Sequence, residues 1–283
     1  MFSLITLYLA PVIGFPWTMR TIAFISLVCC AVACLTLQTR PTTRLHHNPS
    51  PKKNKPTSTS TPTNPRPNLA TVLRHAIDLR PLAHDPAYLT TTIAIFLIEF
   101  AVFLPVTYIS SAALATGRGL PPQTAYRLIA LLNTGSVPGR ALPGYLSDRL
   151  GRFNVMIGTA LACTVLILSV WLPPTILDVS SEAALTVFAV LFGFWSGAAI
   201  SLTPVCIAQV SEVGEIGRRV GTTFSISSFG ALVGVPIGGA IVDASGGGYV
   251  WLVVFAGACY VLALGAFVVA RYVAGPKRWR AAY

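Results

Sequence analysis

Two ionisable side chains, Arg140 and Glu99, interrupt otherwise apolar stretches. A charge in apolar surroundings is costly, so each needs water, a counter-charge or a ligand. A guanidinium presents a planar fork of donors that matches the two oxygens of a carboxylate. Arg140 is therefore a candidate binding cation for an anionic solute. A carboxylate can carry a proton, which makes Glu99 a candidate titratable group. Plainer roles stand beside these: Arg140 in a structural ion pair or tied to the Asp148 turn, and Glu99 in a helix–helix hydrogen bond or paired with Arg140. Ser136 stands one turn before Arg140, where an acid would supply a local partner. Phe96, Phe100, Phe103, Tyr108 and Trp195 are aromatic candidates for lining a solute path or for packing.

Other chemistries find little support. Cys29, Cys30, Cys34, Cys163, Cys206 and Cys259 all sit in apolar runs, without metal-ligand spacing to a histidine. They read as small packing residues. All four histidines, His46, His47, His75 and His84, fall in one polar stretch, so no histidine relay crosses the apolar segments. No nucleophile–base constellation, metal cluster or phosphate-binding loop is present, so neither an enzyme nor a bound cofactor is expected.

The elements that must position Arg140 and Glu99 are apolar helices. The chain of 283 residues is 54% hydrophobic and 10% charged, whereas a soluble domain carries about 25% charged residues. A bilayer is the solvent such a composition suits. Crossing it takes about 20 apolar residues, and seven stretches qualify: 21–37, 88–113, 125–146, 155–172, 183–207, 220–242 and 249–270. Residues 2–17 are apolar but broken by Pro11, Gly14 and Pro16. No positive charge precedes them and another span follows, so they read as the end of an earlier span and not as a leader. The stretch 39–67 is built of Pro, Thr, Ser, Asn and Lys and cannot bury enough surface to fold.

The net charge of +11 is distributed by side. Eight of the twenty bases lie between Arg40 and Arg80, and four more, Arg271, Lys277, Arg278 and Arg280, close the chain. With the linker inside, the inner turns hold Arg149, Arg152, Arg218 and Arg219. The outer ones hold only Arg118 with Asp178 and Glu182. This is the positive-inside pattern, and the bases form no nucleic-acid-binding module.

Glycines recur four apart at Gly135 and Gly139, at Gly193 and Gly197, and at Gly230, Gly234 and Gly238, the last beside Gly239. That spacing lets two helix backbones approach closely. Pro138, Pro143, Pro204 and Pro236 sit beside these stripes and permit bending when neighbours satisfy the freed carbonyl. Between two spans, the run Gly144-x-x-x-Asp148-Arg149-x-Gly151-Arg152 must reverse the chain within a few residues. Gly151 suits the turn, and Asp148 can pair with a base or cap a helix N-terminus.

This run resembles the signature loop of the major facilitator superfamily, found between the second and third helices of each six-helix half. The resemblance implies that Gly144, Asp148, Arg149, Gly151 and Arg152 act as a conformational latch. The stretches 13–20, 85–88 and 214–221, with Gly139-Arg140 and the Gly230–Gly239 stripe, resemble fungal monocarboxylate-porter-like transporters. In that family an arginine at the place of Arg140 follows an aspartate by four residues, and the pair couples proton to substrate. Here Ser136 holds the aspartate's place. The implied fold is an all-α polytopic transmembrane bundle. Its parts are a remnant of an N-terminal half (1–37), a flexible cytoplasmic linker (38–87), a six-helix C-terminal half (88–272) and a basic tail (273–283). The implied function is secondary transport of a small organic anion such as a monocarboxylate by alternating access. Arg140, Glu99 and Ser136 stand at the substrate site, and a proton is the candidate co-substrate. The expected surroundings are the lipid bilayer, as a multi-pass protein of the plasma or vacuolar membrane, with an N-terminal half as a further partner. The alternative is a truncated, non-transporting membrane protein.

Overall fold

The computed structural model describes residues 14–36, 82, 84–115, 122–177 and 182–275. Residues 1–13, most of the linker read at 38–87 and the tail beyond 275 lie outside the described residues. The chain divides into two compact units, one within residues 4–72 and one from Leu73 onward. The first contains α1 (Phe15–Thr36), an apolar helix in which the Arg20 guanidinium stacks over the Trp17 ring at 4.9 Å.

The second unit holds α2 (Pro86–Ala115), α3 (Pro122–Leu150), α4 (Arg152–Leu166), α5 (Leu172–Ile176), α6 (Glu182–Gln209), α7 (Ile216–Ala244) and α8 (Val250–Ala274). No strand occurs among the described residues. A π-helical turn, Ile167–Trp171, joins α4 to α5 in one rod, Arg152–Ile176. Pro173 and Pro174 follow directly, and their rings crowd the carbonyls four residues earlier, which the wider π register relieves.

Among the described residues, six segments are long and apolar enough to cross a membrane: α1, α2, the α4–α5 rod, α6, α7 and α8. α3 has comparable length, 29 residues or about 43 Å. Arg127, Asn133, Arg140, Asp148 and Arg149 make it the most polar of the set.

α3 and α4 are separated by Gly151 alone. Its φ of 89° lies where other residues are strained, so the chain reverses there without a loop. α2 starts with an Asp-Pro signature. Asp85 Oδ1 accepts the Ala87 and Tyr88 amides at 3.1 and 3.2 Å, while Pro86 fills the first helical position.

Helix pairing follows two glycine devices. Against α6, Gly135 and Gly139 of α3 lie on the Val190 and Phe194 carbonyls, while Gly193 and Gly197 of α6 lie on those of Leu132 and Ser136. A Cβ added at any of the four would come within 2.0–2.7 Å of the facing oxygen, so the two backbones touch. Against α2, the Gly230, Gly234 and Gly238 stripe of α7 instead receives side chains: Phe96, Phe100 and then Tyr108 with Leu104. The interior between α4, α6 and α8 is filled by Trp171, Phe188, Phe192 and Tyr260, whose rings follow one another with centroids 5.1–6.1 Å apart.

Candidate functional site

Arg140 is exposed on α3 and makes no hydrogen bond or ion pair with any described residue. The reason is rotational. Gly139 is pressed against the Phe194 carbonyl, and the next residue on a helix points about 100° away. Arg140 lies ten residues before the end of α3, about 15 Å along its axis and well within the thickness of a bilayer core.

Glu99 is buried on α2, with Thr203 Oγ1 of α6 3.5 Å from its Oε1. The structure does not bring Arg140 and Glu99 together, so the ion pair considered from sequence is not formed. Nor is Arg140 tied to Asp148. Ser136 is half-buried at the α3–α6 contact. Its hydroxyl donates to the Asn133 carbonyl at 2.8 Å, and its backbone lies against Gly197. Here Ser136 serves packing, and an acid in its place would face the backbone contact with Gly197.

Most of the aromatic candidates are occupied in packing. Phe96 and Phe100 stack on each other and enter the α7 glycine groove, and Tyr108 donates to the Val235 carbonyl at 2.6 Å. Trp195 meets Phe194 edge to face and packs against the core.

In the Gly144–Arg152 run, Asp148 is exposed and has no partner among the described residues. It caps neither neighbour, because Gly151 takes the N-cap position of α4 and no side chain bonds there. Arg149 stacks on Tyr145, 4.9 Å from the ring, and donates to its hydroxyl. Arg152 is half-buried at the start of α4, and its Nε is buried with no hydrogen-bond partner. Gly144 has open space beside it.

A second constellation joins the ends of α2 and α7. Arg219 NH1 donates to Asp85 Oδ2 at 2.7 Å and to the Val210 carbonyl at 2.9 Å, and its Nε donates to Glu215 at 3.2 Å. Arg218 also pairs with Glu215. The Arg219 guanidinium stacks over the Tyr88 ring at 4.9 Å, and the Tyr88 hydroxyl donates to the Arg219 carbonyl at 3.0 Å. One arginine thus ties the cap of α2, the first turn of α7 and the segment after α6. In the residue order Arg218 and Arg219 count only toward sidedness, and nothing there joins them to Asp85. The local signals of the cluster are the Asp-Pro cap and the paired arginines opening α7.

The model of the Major Facilitator Superfamily matches residues 1–181 and 144–282. The MFS-type transporter opdF of Penicillium oxalicum is 34% identical over 261 residues, 92% of this chain and 54% of that protein. The riboflavin transporter MCH5 of Saccharomyces cerevisiae is 30% identical over 270 residues, covering 95% and 49%. The fujikurins efflux protein of Gibberella fujikuroi is 32% identical over 245 residues, covering 86% and 46%. The chain spans about half the length of the curated relatives it matches. The helical bundle, the membrane-length apolar spans and these matches together show that the chain belongs to the Major Facilitator Superfamily.

Proposed function

We propose that the protein takes part in secondary transport of a small organic anion, a monocarboxylate being the simplest case, by alternating access. The observation that carries this reading is Arg140. A guanidinium at bilayer depth without a counter-ion among the described residues does not suit lipid. It suits a water-filled path, where it offers a carboxylate two parallel hydrogen bonds. Charge complementarity sets the class of solute and not its size. Relatives that carry riboflavin or export fujikurins agree with a broad range of organic solutes. Glu99 is the proton-binding group in this reading, since the described residues place no base beside it and Ser136 cannot titrate. The Gly144–Arg152 run is the latch in this reading: Asp148, exposed near the end of α3 and without a partner among the described residues, is the group that engages a facing helix bundle.

The test is ligand binding to the purified chain in lipid nanodiscs, using pyruvate and the matched amide. Wild-type protein is expected to prefer the carboxylate, Arg140→Gln to lose that preference and Glu99→Gln to keep it. An Arg140→Gln protein that still discriminates carboxylate from amide would overturn the assignment.

A further inference from the structure

Glu99 stands thirteen residues after Pro86, the start of α2, about 20 Å along the helix axis, and is 8% exposed. Its neighbours come from three other helices: Thr203 of α6, Tyr260 of α8 and, beside Tyr260, Cys163 of α4. No base is among them. Arg140 of α3 makes no ion pair with a described residue, and the arginines that open α7 are held by Asp85 and Glu215. A buried carboxylate without a counter-charge is costly, so this one takes up a cation, a proton being the smallest.

The spacing of the oxygens distinguishes a proton from a larger ion. Thr203 Oγ1 lies 3.5 Å from Glu99 Oε1, whereas an O–H···O bond is about 2.5–3.0 Å. The single hydroxyl proton of Thr203 has a nearer acceptor in the Ala199 carbonyl, at 3.0 Å. Thr203 therefore turns a lone pair toward the carboxylate. Two oxygens that each bind a hard cation at about 2.5 Å and subtend a right angle at it stand about 3.5 Å apart. Na⁺, close to Ca²⁺ in radius, meets that spacing. Mg²⁺, at about 2.0–2.1 Å, would draw the pair to about 2.9 Å, and K⁺ would spread it. One carboxylate balances one positive charge, which leaves a divalent ion uncompensated in the interior.

Further oxygens stand near this pair. Tyr260 is fully buried, and its hydroxyl has the weakly accepting Cys163 sulfur beside it and no oxygen or nitrogen partner among the described residues. A buried phenol ordinarily finds such a partner, and this one has lone pairs to offer a cation. On the turns next to Glu99 and Thr203, Pro105 and Pro204 supply no N–H, so the carbonyls of Ala101 and Ile200 lack their usual helical donors. Carboxylate, hydroxyl and carbonyl oxygens are the donor set of a hard cation and not of a transition metal.

We propose that Glu99 and Thr203, with the Tyr260 hydroxyl beside them, form a Na⁺ site buried within the second unit. The site rests on the reading of Glu99 as the proton-binding group and adds that Na⁺ takes the proton's place there. The exchange is balanced in charge. A neutral carboxyl releases its proton and the carboxylate takes one Na⁺, so the interior is neutral in both states. Na⁺ is thereby a co-substrate that competes with the proton.

The experiment is binding of radioactive Na⁺ to the full chain in lipid nanodiscs at alkaline and at acid pH, with K⁺ and choline as competitors at constant ionic strength. Wild-type protein is expected to bind Na⁺ saturably, to lose it on acidification and to give it up to neither competitor. Glu99→Gln is expected to abolish the binding. Thr203→Val is expected to weaken it at least about tenfold, the equilibrium equivalent of one charge-assisted contact, and Thr203→Ser to bind like the wild type. Valine keeps the shape and serine the oxygen, so a packing role for Thr203 would reverse that order. Wild-type protein that binds no Na⁺ at alkaline pH, or a Glu99→Gln protein that binds it unchanged, would overturn the site. The pH dependence of pyruvate binding scores the proton separately. If Glu99→Gln removes that dependence while no Na⁺ binds, Glu99 keeps its proton and the Na⁺ site alone is wrong. If the dependence is unchanged in Glu99→Gln, the proton-binding reading fails and the exchange falls with it.

Discussion

The α3–α6 contact allows a quantitative test. In Gly139→Ala the new methyl would stand 2.0 Å from the Phe194 carbonyl oxygen, whereas an ordinary C···O contact is about 3.3 Å or longer. The obstacle is backbone on both sides, so no rotamer change relieves it, and the helices must separate by about 1 Å. At the present spacing four glycines point Cα–H groups at four carbonyls. Each such contact contributes about 0.5–1 kcal/mol. Separation weakens all four together and also forfeits a quarter to a half of the dispersion at the seam. Against this, alanine gains about 1 kcal/mol of helix propensity over glycine. The net expectation is a loss of about 2 kcal/mol, and the same for Gly193→Ala, whose methyl would lie 2.1 Å from the Leu132 oxygen. Gly158→Ala on α4 and Gly265→Ala on α8 are the controls. Nothing lies within 4 Å of their added methyls, so propensity acts alone and stability should hold or rise by up to about 1 kcal/mol. Thermal and denaturant unfolding in detergent micelles would rank the four variants. If Gly139→Ala proved as stable as Gly158→Ala, the argument that this seam depends on backbone contact would be refuted.

Other consequences are equally direct. Asp85→Asn keeps a cap for α2 but removes the charge facing Arg219, with an expected cost of about 1 kcal/mol for this partly exposed pair. Asp85→Ala should cost about 1 kcal/mol more through the lost cap, and equal unfolding midpoints for the two would contradict the double role. Because Arg140 and Glu99 do not touch, the unfolding energies of Arg140→Gln and Glu99→Gln should add to within about 0.5 kcal/mol in the double variant; a larger coupling would mean that they pair. Asp148→Asn should leave membrane expression near normal and lower transport wherever transport is reconstituted, whereas lost expression would assign Asp148 to folding.

Much of this architecture is legible in the residue order because a bilayer imposes one simple requirement. Every backbone polar group in its core must be satisfied within the segment, so an apolar run of sufficient length is a helix. The runs around Glu99, Ser196 and Gly257 could be little else. Gly151 is equally local: a one-residue reversal at φ 89° suits only glycine. Pairing is not local. Three glycine stripes with the same spacing look alike along the chain, yet two lock backbone to backbone and the third takes aromatic rings from α2. Periodicity marks a face on its own helix and says nothing of what meets it. The two charges within the spans diverge for the same reason. Arg140 is exposed because Gly139 beside it turns toward α6, while Glu99 is buried because its side of α2 turns inward, toward Thr203 of α6. Asp85 and Arg219, 134 residues apart, meet only because α2 and α7 run parallel with their starts level, a matter of how six helices share space and not of any one segment's composition.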